Sequence, residues 1–303
     1  MFDVIIVGAG PAGLNAALIL GRCCRNVLLL NTGIYRNAAA HAMHGFLSRD
    51  GIAPLEFLAI GRAQLAQYEN VTLCDAEAID ARKIQDGFEV SFANGNVERC
   101  RRLLIATGVV DHLPPVGGVL DFYGQSVFHC PYCDGWEVRC RPIAIFANGE
   151  HAVGLALELT GWTDNLVLCT NGPAQLDARH RERLAKHHIP IHELQIERLE
   201  GKDGKLRQIV FSDGSIIERE AMFFLIGQHQ RSALSAKLGC TMNENGSVAT
   251  GNYESTSVPG LYVAGDASRS VQFIVVAAAE GAQAAFSINT SLLKENLAKK
   301  EVH

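Results

Sequence analysis

The glycine-rich segment Gly8-Ala9-Gly10-Pro11-Ala12-Gly13 constrains the fold of this chain more than any other feature. It directly follows a β-branched run, Asp3-Val4-Ile5-Ile6-Val7, and it opens an Ala/Leu-rich stretch that predicts a helix. At such a turn Gly8 permits the tight bend, Gly10 lets a pyrophosphate approach the backbone, and Gly13 lets the helix pack closely on the strand. The segment, with Pro11 and Ala12 at the helix start, therefore predicts a dinucleotide site.

The composition fits a globular protein and excludes several classes of function. The chain has 303 residues, which suffices for two domains, and its net charge of -5 argues against a nucleic-acid partner. No apolar run reaches the roughly 18 residues of a membrane span, and the N-terminus has no secretory signal.

The cysteine pattern is that of a reducing compartment. Nine cysteines include only one CxxC pair, so we expect a cytoplasmic location and no disulfide scaffold. The other seven are expected to be buried packing residues: Cys23, Cys24, Cys74, Cys100, Cys140, Cys169 and Cys240.

A second strand–turn–helix pattern follows later in the chain, with departures from the motif. Ile143-Ala144-Ile145-Phe146 predicts a strand, and Ala147-Asn148-Gly149-Glu150-His151-Ala152 is a GxGxxA turn whose first glycine is replaced. The next predicted strand ends at Asn171-Gly172-Pro173. An NADP site places arginines there and an NAD site places an acid, but this segment has neither.

Three further strand ends complete the first predicted domain. The second strand ends at Asn31, where an acid usually holds the adenosine ribose, and an apolar strand runs into Ala106-Thr107-Gly108. A late strand ends at Gly265-Asp266 before a buried helix predicted from about Gln272 to Ile288, and residues 294–303 are expected to fray. The polar loop 34–51, above all His44-Gly45-Phe46-Leu47, is a candidate to cover a bound flavin.

The stretch His129-Cys130-Pro131-Tyr132-Cys133-Asp134-Gly135 carries the predicted chemistry. A CxxC can close a reversible disulfide or supply half of a zinc site. No second CxxC or CxxH is present, so no metal is expected. A purely structural disulfide is also disfavoured, because such short, strained loops are labile. We interpret Cys130 and Cys133 as a redox couple that works with a flavin.

Taken in order, these motifs resemble those of the low-molecular-weight thioredoxin reductase family over nearly the whole chain. The CxxCD between two dinucleotide motifs is the specific signal. The resemblance implies an α/β fold of two Rossmann-like dinucleotide-binding domains. We place a discontinuous FAD-binding domain at 1–114 and 242–303, and an NAD(P)-binding-like domain that carries the CxxC at 115–241.

The resemblance also implies roles for single residues. Cys133 is the flavin-proximal sulfur, Cys130 exchanges with the substrate, and Asp134 donates or accepts a proton. His129 is a further acid–base candidate from its position, since imidazole titrates near neutral pH. The remaining FAD contacts that the resemblance implies are Asn31, Thr107, Gly108, Gly265, Asp266, Gln272 and Phe273. Gln272 and Phe273 stand where the family has an Arg-Gln pair.

The departures at the second turn favour a reductase-like branch that includes dithiol oxidases of the gliotoxin and holomycin type. We therefore expect a homodimeric FAD enzyme acting on a thioredoxin-like protein or a small dithiol or disulfide. NADPH is expected to be a poor donor, so a second flavin or another carrier would serve. The alternatives are an ordinary NADPH-dependent thioredoxin reductase and a flavin redox sensor without turnover.

Overall fold

Strands and helices alternate along the chain, and the computed structural model describes residues 1–225 and 227–301. The strands are β1 (Phe2–Val7), β2 (Val27–Asn31), β3 (Val71–Asp75), β4 (Ala78–Ile84), β5 (Gly87–Phe92), β6 (Val97–Ile105), β7 (Val109–Asp111), β8 (Val127–Phe128), β9 (Ile143–Phe146), β10 (Leu166–Cys169), β11 (Ile191–His192), β12 (Ile196–Lys202), β13 (Lys205–Phe211), β14 (Ile216–Glu218), β15 (Ala221–Phe224), β16 (Gln228–Gln230) and β17 (Leu261–Val263). The helices are α1 (Pro11–Arg22), α2 (Pro54–Leu65), α3 (Val119–Phe122), α4 (Pro131–Asp134), α5 (Glu150–Leu159), α6 (Ala178–Lys186), α7 (Leu234–Lys237) and α8 (Ile274–Glu301).

The chain divides into two compact units. The first comprises Met1–Ala38, Gly45–Val110 and His229–His303, and the second comprises Ala39–His44 and Asp111–Gln228. The first unit thus resumes at His229, earlier than the predicted position 242. A short segment of the predicted flavin-covering loop, Ala39–His44, belongs to the second unit.

The first unit is built on a parallel sheet with an antiparallel extension. Its strands run in the order β3-β2-β1-β6-β5-β4, and β17 also pairs with β6 in parallel. Alternate residues of β1 belong to two different cores, one containing Val4 and Ile6 and the other Ile5 and Val7. A strand buried on both faces must be apolar throughout, which is why β1 has a continuous β-branched sequence.

The second unit contains a five-stranded parallel sheet in the order β11-β10-β9-β15-β8, with an antiparallel sheet β12-β13-β14. Its central strands are also buried on both faces: Ile143 and Ile145 enter one core and Ala144 the other. Strand β8 leads directly into the CxxC segment. The cysteine pair therefore follows the carboxyl end of a parallel strand.

The last helix is longer than the sequence predicted. Helix α8 begins at Ile274 and continues to Glu301, so the expected end at Ile288 and the expected fraying are wrong for residues 294–301; residues 302–303 lie outside the described part. Glu295 accepts hydrogen bonds from Arg102 Nη2 at 3.0 Å and Lys299 Nζ at 2.7 Å. These ion pairs fix the polar end of the helix, which hydrophobic periodicity does not reveal.

The expectation that all seven other cysteines are buried is also wrong in part. Cys24 and Cys140 are exposed, and both adopt a positive φ, of 57° and 60°. Each ends a turn after a helical segment. Cys100, Cys169 and Cys240 are buried, as expected.

Two features are absent from residues 1–225 and 227–301. No helix there is both long and apolar enough to cross a membrane. Within the same residues, no group of three or more His, Cys, Asp or Glu side chains is arranged to hold a metal ion.

Candidate active site

Cys130 and Cys133 form a disulfide in the second unit, with their Cα atoms 5.3 Å apart. Cys130 caps the short helix α4, and its carbonyl accepts from Cys133 N–H at 3.1 Å. Gly135 closes the turn. A Cβ there would lie 2.5 Å from Pro131 O and 2.9 Å from the Trp162 ring, so only glycine fits.

Asp134 follows the disulfide directly and has a strongly perturbed acidity. The pKa of its carboxyl is raised to about 7, mainly by burial and then by the negative charge of Glu137, while His44 opposes the shift. Glu137 is itself within 3.5 Å of His44 Nε2. A carboxyl with this pKa can give or take a proton near neutral pH, as acid–base work at a thiolate requires.

Sequence reasoning had connected His44 with the flavin. The structure places it beside Glu137 in the second unit, where it opposes the rise in the pKa of Asp134, and its contact with a flavin stays a prediction. No signal in the sequence pairs residue 44 with residue 137. His129, the other histidine singled out, is exposed and lies next to Tyr123 and Phe224, with ring centroids 6.2 and 6.0 Å away.

The glycines of the first unit bring three strand ends together. A Cβ at Gly8, whose φ is +111°, would lie 2.4 Å from Ala106 O, and one at Gly13 would lie 1.8 Å from Gly8 O. Gly265, with φ +82°, is in close contact with Ala12. The turn after β1, the turn after β6 and the turn after β17 thus meet at one edge of the sheet.

The space at this edge fits an FAD. A Cβ added at Gly10 would have no heavy atom within 4 Å, so the start of α1 faces an open region of the first unit. Thr107 Oγ1 is buried and has no hydrogen-bond partner among residues 1–225 and 227–301. Gly108, at φ +67°, also has open space around its Cα. A helix N-terminus, an unsatisfied hydroxyl and an open turn suit a pyrophosphate and its ribityl chain.

Asn31 has more partners than the sequence indicated. Its Oδ1 accepts from Gly33 N–H at 3.1 Å and from the Tyr35 hydroxyl at 2.7 Å, and its Nδ2 donates to Asp75 Oδ1 at 2.8 Å. Asp75, at the end of β3, therefore places a carboxylate beside Asn31. Sequence reasoning missed Asp75, because only the sheet register places it opposite Asn31.

Asp266 and Gln272 are joined by a cation from elsewhere in the first unit. Arg36 Nη1 donates to Asp266 Oδ2 at 2.9 Å and to Gln272 Oε1 at 2.6 Å. Gln272 and Phe273 both precede α8, and Phe273 O accepts the hydrogen bond of Ala277 N–H at 2.9 Å. Arg36 lies in the polar loop 34–51, and no sequence motif marks it.

A buried ion network stabilises the turn at Gly265-Asp266. Gly265 N–H donates to Glu280 Oε2 at 2.6 Å, and Arg269 connects Glu280 to Glu254. Burial raises the pKa of both Glu280 and Glu254, although the Arg269 guanidinium opposes the rise. This network was also missed, since no motif marks it.

The second dinucleotide-type turn has a different internal structure. Asn148 Nδ2 donates to Thr170 O and Pro173 O, both at 3.1 Å, while its Oδ1 accepts from Gly149 N–H and Gln175 N–H, both at 2.8 Å. Gly149 has φ +77°. Ala147 is buried within the core of the unit. We call this set of four hydrogen bonds the Asn148 bridge.

The comparisons with known proteins agree with this arrangement. A family model described as pyridine nucleotide-disulphide oxidoreductase matches residues 2–281. The chain is 30% identical to thioredoxin reductase aclD of Aspergillus oryzae, over 99% of each chain. It is also 30% identical to thioredoxin reductase tcpT of Claviceps purpurea, over 99% of this chain and 97% of that protein.

A solved structure shows the same likeness. The crystal structure of HlmI superimposes with a TM-score of 0.94 at 36% identity and covers 99% of this chain and 95% of HlmI. The predicted fold class and the predicted resemblance are confirmed, and the family implies a flavin cofactor. The chain belongs to the pyridine nucleotide-disulphide oxidoreductase family and is an oxidoreductase of the thioredoxin-reductase-like kind.

Proposed function

We propose that this protein exchanges electrons between FAD, the Cys130–Cys133 pair and a dithiol or disulfide substrate, without efficient use of NADPH. The substrate is a thioredoxin-like protein or a small dithiol. The relatives named thioredoxin reductase favour the ordinary alternative, in which NADPH reduces the flavin. The Asn148 bridge is the observation that favours the first.

The bridge occupies a backbone N–H that a dinucleotide turn offers to a phosphate. Gly149 N–H starts α5, and it already donates to the Asn148 side chain at 2.8 Å. The Asn148 side-chain amide also connects this turn to the loop after β10, because it donates to Thr170 O and Pro173 O. A pyrophosphate would have to break these hydrogen bonds before it could bind there.

The charges around the bridge also oppose an anionic ligand. Glu150 lies in the first turn of α5, where a helix N-terminus would otherwise attract a phosphate. Arg181, which donates to Ala174 O at 3.4 Å, is paired with Glu193 at 2.6 Å. A missing charge-assisted contact to a 2′-phosphate costs about 1.5–3 kcal/mol, or roughly tenfold or more in affinity.

In the first unit, FAD is held by the three turns that meet at the sheet edge. The α1 N-terminus, from Gly10, binds the pyrophosphate, and Thr107 Oγ1 gains the partner that it lacks. The Asn31–Asp75 pair binds the adenosine ribose, while Asp266 and Gln272 face the flavin end. When bound, the flavin supplies a two-electron acceptor or donor.

In the second unit, the two cysteines have separate roles. Cys130 exchanges with the substrate, and Cys133 passes electrons to or from the flavin. Asp134 gives a proton to the Cys133 thiolate or takes it back, since burial and the charge of Glu137 raise the pKa of its carboxyl to about 7 against the effect of His44. His129 serves the exchange at Cys130.

The test is anaerobic stopped-flow reduction of the purified holoenzyme by NADPH, NADH and dithiothreitol in turn. We expect dithiothreitol to bleach the flavin and both nucleotides to reduce it poorly. The Asn148→Gly variant removes the bridge and is expected to gain some reduction by NADPH. If NADPH reduced the wild-type flavin as fast as dithiothreitol does, the protein would be an ordinary NADPH-dependent thioredoxin reductase. No reduction by any of them would favour a redox sensor.

A homodimer is part of the proposal. It rests on the resemblance and on four exposed apolar side chains that lie along one face of α8, since the spacings of 11, 7 and 4 residues are near whole helical turns: Val275, Phe286, Leu293 and Leu297. Light scattering of the wild type and of Phe286→Glu tests it, and a wild-type monomer would contradict it. The cytoplasmic location stays a prediction from the cysteine count.

A further inference from the structure

Four side chains of the first unit form a hydrogen-bonded chain that ends at an edge of its sheet. Arg62 Nη1 lies 3.0 Å from the Tyr35 hydroxyl, and that hydroxyl lies 2.7 Å from Asn31 Oδ1. Asn31 Nδ2 in turn lies 2.8 Å from Asp75 Oδ1. Sequence reasoning had singled out only Asn31 of the four.

The strand ends place this chain beside the first glycine-rich turn. The strands β1, β2 and β3 are parallel neighbours, and Asn31 and Asp75 are the last residues of β2 and β3. Gly8 N–H, in the turn after β1, donates at 3.1 Å to the carbonyl of Leu30, the residue before Asn31. In a dinucleotide-binding unit, an adenosine ribose binds at the end of the second strand.

The chemistry of the two ends determines the direction of every hydrogen bond in the chain. A guanidinium only donates, and an ionised carboxylate only accepts. Because Arg62 can only donate to the phenol oxygen, the single proton of the Tyr35 hydroxyl goes to Asn31 Oδ1. The backbone N–H of Gly33 also donates to Asn31 Oδ1, at 3.1 Å, so the oxygen and nitrogen of this amide cannot be exchanged.

The same directions determine which groups remain for a ligand. A carbonyl oxygen has two lone pairs, and on Asn31 Oδ1 the Tyr35 hydroxyl and Gly33 N–H use both. Within residues 1–225 and 227–301, the Asp75 side chain is hydrogen-bonded only through Oδ1, so Oδ2 can still accept. The acceptor that remains for a ribose hydroxyl is therefore the carboxylate from β3.

Packing and a positive charge fix the other end of the chain. The Tyr35 ring packs against the core that contains Val4 and Ile6, and Arg62 lies in the last turn of α2. Within the described part of the chain no carboxylate pairs with Arg62, and the phenol oxygen is its hydrogen-bond partner. Hydrogen bonds aligned in one direction polarise one another, so the cation strengthens the contact between Asn31 and the carboxylate.

We propose that the Asp75 carboxylate binds the adenosine 2′-hydroxyl of FAD, and that Tyr35 and Arg62 are positioning residues for this contact. They act through Asn31, whose amide orients the carboxylate. This inference rests on the proposed function, since it assigns the residues that recognise the cofactor named there. A site that binds a hydroxyl through a charged acceptor rejects the analogue that lacks the hydroxyl, because the acceptor then has no partner.

Cofactor exchange of the purified holoenzyme measures this discrimination without measuring activity. The holoenzyme is incubated with equal excesses of FAD and flavin 2′-deoxyadenosine dinucleotide until the bound ratio is constant, and the bound cofactors are then separated by chromatography. A hydrogen bond to a charged group changes an affinity by roughly tenfold to 100-fold, and we expect the wild type to prefer FAD by that factor. A wild-type ratio near one would overturn the proposal.

Three variants separate the binding residue from the residues that position it. The preference should fall to roughly threefold or less in Asp75→Ala, and it should fall about threefold to tenfold below the wild type in Tyr35→Phe, which keeps the packed ring. Arg62→Met should lower it only about twofold, since the hydroxyl can still donate to Asn31. A general loss of packing would weaken the binding of both dinucleotides equally and leave the ratio unchanged. An unchanged ratio in Asp75→Ala would overturn the proposal, and an unchanged ratio in Tyr35→Phe would refute the positioning role.

Matched controls change the same types of side chain elsewhere in the first unit. Asp86→Ala removes an exposed carboxylate between β4 and β5, and Tyr68→Phe removes a hydroxyl that accepts from Arg22 at 3.1 Å. Both should keep the wild-type ratio. If the purified protein holds no flavin, the proposed function fails. If it holds FAD and dithiothreitol reduces that flavin, but both dinucleotides bind equally, this inference alone is wrong.

Discussion

Replacing Asp134 by asparagine should make the protein more stable at alkaline pH and slower in dithiol exchange. Burial, followed by the charge of Glu137, raises the pKa of this carboxyl from 3.8 to about 7, against the opposing effect of His44. Ionising Asp134 in the folded protein is thus unfavourable. Asparagine has nearly the same shape and never carries the charge.

The magnitude follows from the shift. A rise of about three pKa units corresponds to about 4 kcal/mol between the two protonation states, at 1.36 kcal/mol per unit. Between about pH 4 and pH 7 the folded state holds a proton that the unfolded state has lost, so the wild type loses stability as pH rises through this window. The loss is complete above the folded pKa. The advantage of Asp134→Asn should therefore grow with pH to as much as about 4 kcal/mol.

Calorimetric unfolding of the holoenzyme at about pH 5 and about pH 8 measures this effect. The difference in Tm between Asp134→Asn and the wild type should be larger at the higher pH, by on the order of 10 °C. Asp121→Asn, which changes an exposed carboxylate of the same unit, is the matched control and should show no such trend. The rate of reduction by dithiothreitol should fall roughly 100-fold in Asp134→Asn. Equal Tm differences at both pH values would refute the reasoning.

Three other changes test other parts of the molecule. Gly10→Val should fold but lose FAD, since its added Cβ meets no protein atom within 4 Å and fills only the pyrophosphate space; a fully loaded yellow protein would contradict the site. Cys130→Ser should keep FAD and gain a long-wavelength charge-transfer band from the Cys133 thiolate. If the band appeared in Cys133→Ser instead, the roles assigned to the two sulfurs would be reversed. Burial opposes the charge of Glu295, but hydrogen bonds from Lys299 and Arg101 lower its pKa to about 2. After solvent screening, Glu295→Gln should cost about 1 kcal/mol at neutral pH in denaturant titrations, a difference that disappears as pH falls from about 4.5 to 2.

The parts of the site that the sequence predicted are those set by local geometry. Gly8 and Gly13 could be identified because a strand–turn–helix forces backbone atoms together within a few residues: Gly8 has a φ of +111°, and a Cβ added at Gly13 would lie 1.8 Å from Gly8 O. The CxxC disulfide is local in the same sense, with Cys130 and Cys133 three residues apart. A short motif contains all the information that these features need.

The residues that the sequence did not predict depend on long-range contacts. Asp75 reaches Asn31 only through the pairing of β2 with β3, and His44 reaches Glu137 across more than 90 positions of sequence. Polar contacts between distant segments have no periodicity, so neither hydrophobic pattern nor spacing can reveal them.

The two glycine-rich turns of the chain differ in a way that changes the basis of the NADPH prediction. In the first turn the positive φ is at the first motif position, Gly8, at +111°; in the second it is at the third position, Gly149, at +77°. The methyl group of Ala147 packs into the core, with the residue only 6% exposed. A different backbone conformation thus accommodates the replacement of the first glycine by Ala147. The replacement does not by itself block a nucleotide. The side-chain amide of Asn148 stabilises that backbone conformation, because it accepts from Gly149 N–H and donates to the carbonyls of Thr170 and Pro173. The proposed poor use of NADPH therefore rests on the bridge more than on the alanine.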